Sequence, residues 1–287
     1  MKISAIDIGS NSVRLLLWAD GHSLYKKVDT TRLGEGLAAT GRLSAAAMSR
    51  TAEAVGRFAL EAERQGSDKL YVFATAAARG AENGAEFVRL VKDKCGIDVD
   101  VISGEKEAKL GLLGALGGKA GGIIDVGGAS SEVTVSDGKN IVYAQSLPLG
   151  AVRVTELCGT DIAKTRALIS EKLPSYGDIP KAEMTAIGGT ATSLVALEKE
   201  LAVYDAQKVH GTVMSAAKLE EWAERLLGMT QAERLALPGM DPRRADILGG
   251  GAMLLAMIAA YARADKVIVS EADNLEGYIM YREGERL

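Results

Sequence analysis

The sequence predicts an α/β protein built from two duplicated halves. Its 287 residues suit about two domains of ordinary size. Strand-like and helix-like patterns alternate along the chain. An apolar strand, an Asp-x-Gly turn and a second strand occur twice, and Asp7 and Asp125 hold equivalent places in the two copies. We therefore expect two α/β domains, each led by a β-hairpin.

The elements of the first half follow from apolar periodicity and from helix-start signals. Short apolar runs bounded by polar turns favour strands, and apolar positions at helical spacing favour helices. Ser44 is a suitable N-cap for the helix predicted over 44–64. The predicted strands cover 3–8, 13–17, 69–74 and 97–102, and the predicted helices cover 44–64, 82–94 and 105–116.

A glycine-rich segment at 117–122 separates the halves, and we expect a domain boundary and a hinge there. The predicted domains are 1–117 and 118–287, with a C-terminal helix over 271–287 that packs back on the first. In the second half the hairpin returns. It is followed by a strand at 185–187, a turn at 188–190 with a helix from about Ala191, an uncharged buried helix at 247–262 and a strand at 266–270.

Composition excludes several classes of protein. The chain has 34 basic and 38 acidic residues, net charge −4, which argues against a nucleic-acid binder. Cys95 and Cys158 lack metal or redox spacing, so we expect reduced thiols in a cytoplasmic protein. The apolar run at 247–262 is too short to span a membrane, and the first residues reach Asp7 too early for a signal peptide.

Two Gly/Ser turns are the candidate phosphate-binding elements: the first Gly/Ser turn, residues 9–12, and the second Gly/Ser turn, residues 127–131. Backbone N–H groups in such turns converge on anions, and hydroxyl and amide groups add donors. Either turn alone also fits an ordinary hairpin. Their matching places favour phosphate binding by Gly9, Ser10, Asn11, Ser12, Gly127, Gly128, Ala129, Ser130 and Ser131.

Asp7 and Asp125 end the strands before these turns. A carboxylate beside a bound phosphate is repulsive unless a cation lies between them, and Mg²⁺ accepts one or two carboxylates together with phosphate oxygens. The sequence therefore predicts a divalent metal site. The alternative is that each aspartate caps its own turn.

Eight segments taken in order resemble the exopolyphosphatase/guanosine-pentaphosphatase family. They are IDIGSNSVRLLL (6–17), RLGEGL (32–37), ATAAAR (74–79) with Asn83, ISGEKEA (102–108), IIDVGGASSEV (123–133), LPLGAVRVTE (147–156), AIGGTATSL (186–194) and VSEADNLEGY (269–278). This resemblance covers nearly the whole chain. It implies two ribonuclease H-like domains of the actin-like ATPase superfamily with an interdomain cleft.

The resemblance also implies an activity and its residues. It implies Mg²⁺- or Mn²⁺-dependent hydrolysis of a terminal phosphoanhydride, on inorganic polyphosphate or guanosine pentaphosphate, by a homodimer. Glu107 would be the base, Arg79 would contact phosphate, and Glu132 would bind water or, with Asp125 and Asp7, the metal. In a related kinase or ATPase, Gly188 and Gly189 would contact an adenosine-side phosphate. The sequence departs from the family pattern in three segments: at Lys106, at Ala129 and Ser131, and at Gly80.

Alternatives stay open at this point. Glu107 also fits a helix first turn that favours acids, Glu132 also fits a strand surface, and Arg79 also fits an ion pair with Glu82 or Glu86. Besides the exopolyphosphatase, the sequence admits a guanosine pentaphosphate phosphohydrolase, a kinase or ATPase, and a phosphate sensor. A basic path for long polyphosphate would draw on Lys26, Lys27, Arg32, Arg243 and Arg244.

Overall fold

The computed structural model describes residues 1–284, which form eleven strands and thirteen α-helices. The strands are β1 (Lys2–Ile8), β2 (Val13–Ala19), β3 (His22–Asp29), β4 (Lys69–Ala74), β5 (Asp100–Val101), β6 (Gly121–Val126), β7 (Ser131–Ser136), β8 (Ile141–Leu147), β9 (Met184–Ile187), β10 (Thr212–Ser215) and β11 (Lys266–Val269). The helices are α1 (Leu37–Thr40), α2 (Ala45–Arg64), α3 (Ala76–Gly80), α4 (Gly84–Cys95), α5 (Gly104–Leu116), α6 (Ala151–Cys158), α7 (Ile162–Lys172), α8 (Gly188–Glu198), α9 (Ala206–Val209), α10 (Ala216–Gly228), α11 (Gln231–Leu235), α12 (Leu248–Tyr261) and α13 (Asn274–Arg282), with a short 3₁₀ helix at Leu173–Tyr176.

The two sheets share one topology. The first has the order β3-β2-β1-β4-β5, and the second reads β8-β7-β6-β9-β11 before β10 is added at its edge. In each, the first three strands pair antiparallel, the fourth strand pairs parallel with the first strand of the hairpin, and the fifth pairs parallel with the fourth. The predicted duplication is confirmed, and this is the strand order of a ribonuclease H-like fold.

The chain divides into two compact units. Among the described residues, one contains Met1–Gly114 together with residues 274–284, and the other is Ala115–Asp273. Of the predicted helix 271–287, residues 274–282 are helical, and residues 285–287 lie outside the described part of the chain. Helix α13 packs within the first unit, where Leu275, Tyr278 and Ile279 join a buried cluster.

The first unit is a sheet covered on both faces. Side chains alternate across a strand, so Ile6 and Ile8 of β1 face a cluster that includes α2, α3 and α4, while Ile3 and Ala5 face α5 and α13. The helix predicted at 44–64 is α2. The Ser44 side chain caps it by accepting a hydrogen bond from the Ala47 N–H at 3.1 Å.

The second unit encloses α12, which is buried along nearly its whole length. This confirms the uncharged run at 247–262 as a buried helix. Within residues 1–284, no helix is both long and apolar enough to cross a bilayer. Cys95 and Cys158 are free thiols.

Two predicted elements differ from the observed ones. The strand expected over 97–102 is only Asp100–Val101, the two residues that pair with Phe73 and Ala74 at the end of β4. The helix expected from about Ala191 begins at Gly188. That glycine has φ +82°, a left-handed conformation open to glycine, and α8 follows directly on the last residue of β9 with no turn between them.

Candidate functional site

The two Gly/Ser turns close in the same way. The Gly9 N–H donates to the Ser12 carbonyl at 3.0 Å, and the Gly127 N–H donates to the Ser130 carbonyl at 3.0 Å. A Cβ on either glycine would lie 3.2 Å from that carbonyl oxygen, so a larger residue there would require the carbonyl to move by a few tenths of an ångström. Ala129 is not among the residues with positive φ, so alanine costs the second turn no backbone strain.

The first Gly/Ser turn is held from behind by the segment that follows β3. The Arg32 N–H donates to the Asn11 carbonyl and the Gly34 N–H to the Ser10 carbonyl, both at 2.8 Å. Arg32 has φ 51°, a left-handed conformation that costs an arginine about 1–3 kcal/mol. The Asn11 side chain is buried, and its Nδ2 has no hydrogen-bond partner among the described residues. This amide is a donor available to an anion.

The second Gly/Ser turn is held by the start of α6. The Ala151 N–H donates to the Gly127 carbonyl at 2.8 Å and the Val152 N–H to the Gly128 carbonyl at 2.9 Å. Gly150 makes this contact close: a Cβ there would lie 2.5 Å from the carbonyl carbon and oxygen of Gly128. The first N–H groups of α6 therefore position the turn.

Ser131 is placed differently from the other predicted phosphate ligands. It is the first residue of β7 and is fully buried. The Tyr176 hydroxyl lies 3.0 Å from its Oγ and donates to its carbonyl at 2.8 Å. Burial raises the pKa of Tyr176 above its ordinary value, so this hydroxyl stays protonated. Ser131 is thus part of the packing behind the turn.

The carboxylates before the two turns have different partners. In the first unit Asp7 lies directly opposite Arg14 on β2, and Arg14 donates to its Oδ2, with Nε at 3.1 Å. In the second unit Asp125 lies opposite Glu132 on β7. The Ser146 hydroxyl donates to Glu132 Oε1 at 2.7 Å. One hairpin therefore pairs a carboxylate with a cation, and the other sets two carboxylates side by side.

Glu107 and Arg79 meet in the first unit. Arg79 Nη1 donates to Glu107 Oε2 at 2.9 Å and to the Ile102 carbonyl at 2.9 Å. The side chain of Glu107 is 9% exposed, whereas that of Arg79 is 29% exposed. Glu82 and Glu86, the alternative partners of Arg79, both bind Arg42. The geometry thus joins a buried carboxylate to a guanidinium that still reaches solvent.

The start of α8 carries the remaining predicted ligands, Gly188 and Gly189. A Cβ on Gly188 would lie 2.7 Å from Asp125 Oδ1, and one on Gly189 would overlap the guanidinium of Arg244. The Thr190 hydroxyl donates to the Val126 carbonyl at 3.1 Å and ties this helix to the end of β6. Asp125, the helix start and Arg244 are therefore neighbours.

Most of the predicted basic path has acidic partners instead. Lys26 pairs with Glu276 at 2.8 Å, Lys27 pairs with Glu61, and Arg243 binds Asp241 through two nitrogens at 2.9 Å. These three residues neutralise carboxylates on their own units.

Arg14, Ser146 and Tyr176 were missed by the sequence reasoning. Arg14 had a usable signal. The first hairpin has a four-residue connection, so the residue two places after it lies opposite the residue two places before it. Ser146 of β8 lies opposite Glu132 of β7. This pairing depends on a strand register that contains a bulge. Tyr176 comes from a 3₁₀ helix distant in sequence, and no local pattern points to it.

The fold and the site define an α/β protein of two ribonuclease H-like units, each with a donor-rich Gly/Ser turn directly after a carboxylate. The model of the Ppx/GppA phosphatase family matches residues 18–285. The chain belongs to that family.

Similar proteins agree with this assignment. Exopolyphosphatase 2 of Mycobacterium tuberculosis is 34% identical over 309 aligned residues, covering 96% of this chain and 97% of that protein. A crystal structure of an exopolyphosphatase-like protein superimposes with a TM-score of 0.89 at 29% identity, covering 98% and 97% of the two chains. The Ppx/GppA family member from Aquifex aeolicus gives 0.80 at 27% identity, covering 99% of each chain.

Proposed function

We propose that the protein is a metal-dependent exopolyphosphatase that releases the terminal phosphate of inorganic polyphosphate. The observation that carries the proposal is the buried carboxylate of Glu107, which lies in the first turn of α5 and accepts a hydrogen bond from Arg79. Support also comes from the relative that is named exopolyphosphatase 2 and matches this chain almost end to end.

In this proposal the two Gly/Ser turns bind phosphate oxygens. The first turn offers the hydroxyls of Ser10 and Ser12 and the Asn11 amide. The second offers the N–H groups around Gly128 and the Ser130 hydroxyl. Ser131 supports the turn through Tyr176. Further phosphates would contact Gly188 and Gly189, where the N-terminus of an eleven-residue helix and the guanidinium of Arg244 supply positive charge.

Asp125 and Glu132 would hold the divalent metal. Like charges directly opposite on neighbouring strands repel each other, and a divalent cation bound between them would remove that repulsion. The first hairpin has its own cation at the matching position, Arg14, and the second has Glu132. Two carboxylates suit Mg²⁺ or Mn²⁺, which also take water and phosphate oxygens. No cluster of three or more metal-ligating side chains occurs among residues 1–284.

The metal, when bound, would offset charge on the phosphate oxygens. Water attacks the terminal phosphorus, and the Glu107 carboxylate accepts a proton from that water. The bond from the terminal phosphorus to the bridging oxygen breaks, and the shortened chain leaves with that oxygen and its electron pair. Arg79 orients the carboxylate through one nitrogen, and its exposed side can bind a phosphate oxygen.

Removing either metal-site carboxylate is expected to weaken metal binding. Asp125→Asn and Glu132→Gln should each raise the Mg²⁺ concentration that gives half-maximal phosphate release by at least about tenfold. A titration of Mg²⁺ and Mn²⁺ against initial rate measures this. Asp137→Asn is the control, because Asp137 lies in the turn after β7 and bonds the N–H groups of Lys139 and Asn140. An unchanged metal requirement in both variants would contradict the assignment.

The substrate is tested by competition. Long polyphosphate, guanosine pentaphosphate and ATP are offered at equal concentrations of phosphate ends, with Mg²⁺. We expect phosphate release from polyphosphate to be favoured. Preferred release from guanosine pentaphosphate would make the protein a guanosine pentaphosphate phosphohydrolase. Transfer of the ATP γ-phosphate to a sugar or acid would make it a kinase, and tight binding without turnover a sensor.

A further inference from the structure

Lys106 lies beside Glu107 in the first turn of α5, but the two side chains point to different partners. Neighbouring residues on an α-helix are about 100° apart around its axis. Glu107 meets Arg79 at 2.9 Å, while Lys106 Nζ lies 2.7 Å from Asp100 Oδ2 on β5. The Ser103 hydroxyl caps this turn by accepting the Lys106 N–H at 3.1 Å. Lys106 is therefore directed away from the proposed base.

The partner of Lys106 is itself bound by α13. The Tyr278 hydroxyl donates to Asp100 Oδ2 at 2.7 Å. The Tyr278 ring is fully buried and stacks on Phe73 of β4, with centroids 4.4 Å apart and 6° between planes. The Lys106 ammonium lies 5.3 Å from the ring centres of both Tyr278 and Tyr281. Such cation–π contacts add attraction to the ion pair.

A second contact joins α13 to α5 one turn further along. A Cβ on Gly277 would overlap the carbonyl oxygen of Leu110 and would lie 3.0 Å from the Gly114 N. The two helix backbones therefore touch at this glycine. Helix α5 is held at Lys106 and at Leu110, and Glu107 lies between these two points.

We propose that Asp100, Lys106 and Tyr278 are positioning residues that hold the first turn of α5 against α13 and so set the carboxylate of Glu107. This inference rests on the proposed role of Glu107 as base. None of the three touches the reacting groups. A displacement of about 1 Å at a catalytic group can cost about 10²-fold in rate. The C-terminal helix thereby becomes part of the machinery that orients the base.

The same contacts explain why lysine suits position 106 in this chain. A glutamate there would face the Asp100 carboxylate across the same short gap. Like charges at that distance repel, and Tyr278 supplies only one hydrogen bond to offset them. Lys106 and Asp100 are therefore a matched pair.

The pair gives a pH dependence with a defined sign. Burial acts to raise the pKa of Asp100, but hydrogen bonds from Lys106 and Tyr278 and the charges of Lys106 and Arg282 hold it below its ordinary value of 3.8. The contribution of this carboxylate to the free energy of unfolding is therefore fully present above the ordinary pKa. It is lost as the pH falls through the lower pKa of the folded state. Asp100→Asn should be less stable than the wild type at about pH 6, and the difference in urea midpoint should shrink toward about pH 3. A constant difference would contradict the assignment.

Lys106→Met tests the positioning role, with Tyr278→Phe as a variant that removes only the hydroxyl. Each should lower kcat for phosphate release about tenfold with KM within about twofold, and Lys106→Arg should recover most of the loss. The matched control is Lys92→Met. It breaks a Lys–Asp pair with the same sequence separation and an N–O distance of 2.8 Å, on α4. Its kcat should stay at the wild-type value.

Two further readouts separate positioning from general destabilisation. In a Glu107→Gln background, Lys106→Met should cause no additional loss of kcat, because it acts only through that carboxylate. Hydrogen exchange of residues 103–108 should be faster in folded Lys106→Met than in the wild type. Equal losses in both backgrounds, or unchanged exchange, would overturn the proposal. Should the wild type release no phosphate, the proposed function fails, and the exchange measurement still decides whether α13 holds this turn.

Discussion

Glu107→Gln is expected to lower kcat for phosphate release from polyphosphate by about 10²–10⁴-fold, the usual contribution of a general base. Glutamine keeps the size of the side chain and a hydrogen bond to Arg79 but cannot accept the proton of water. Initial rates with saturating Mg²⁺ and polyphosphate measure the effect. Polyphosphate binding, followed by calorimetry, should persist because the Gly/Ser turns are untouched.

Glu105→Gln is the control for this result. Glu105 lies in the same first turn of α5 and is exposed. Both acids interact favourably with the start of the helix, so Glu105→Gln removes the same helix-dipole contribution without removing the proposed base. Its kcat should match the wild type. Equal effects in the two variants would leave Glu107 with only the helix-start role, and an undiminished rate in Glu107→Gln would exclude it as the base.

Gly150→Ala is expected to have the next largest effect, about 10²-fold on kcat. Gly150 has φ −132°, which alanine adopts easily, so the effect is steric alone. The new methyl group would lie 2.5 Å from the Gly128 backbone and must displace the second Gly/Ser turn. Overpacking of this kind also costs about 1–3 kcal/mol of stability. Activity and urea denaturation of the same preparation measure both.

Gly228→Ala is the matched glycine control. Gly228 ends α10 in the same unit, has no positive φ, and nothing lies within 4 Å of the place of its Cβ. Alanine is a better helix former than glycine, so this variant should be active and at least as stable as the wild type. Full activity in Gly150→Ala would show that the second turn does not need its present position.

The fold was predictable where local pattern and tertiary structure agree. Strand β4 matches its prediction at both ends, because KLYVFA is a short apolar run between polar residues. Helix α2 begins where Ser44 predicts it. Strand β5 was predicted too long, because its length depends on how many residues pair with β4, and only Asp100 and Val101 do. Such contacts between distant segments leave little trace in a local pattern.

In the candidate site, too, features set by local sequence were predictable and features set by tertiary contacts were not. The two Gly/Ser turns were recognised because their composition repeats, and their identical closing hydrogen bonds explain the repeat. Arg79 and Glu107 were chosen by resemblance, and their contact depends on tertiary structure. Asp7 lies opposite Arg14, whereas Asp125 lies opposite Glu132. This difference follows from the hairpin register, which was not used in the prediction. The support of Ser131 by Tyr176 comes from packing of remote segments.

Hydrolysis of polyphosphate in water enriched in ¹⁸O tests the central claim most directly. With Mg²⁺ and wild-type protein, each released orthophosphate should carry one oxygen from the solvent, and the remaining chains should shorten from their ends. That result requires attack of water on the terminal phosphorus. Unlabelled orthophosphate, chains cut internally, or no release at all with Mg²⁺ or Mn²⁺ would contradict the assignment of this chain as an exopolyphosphatase.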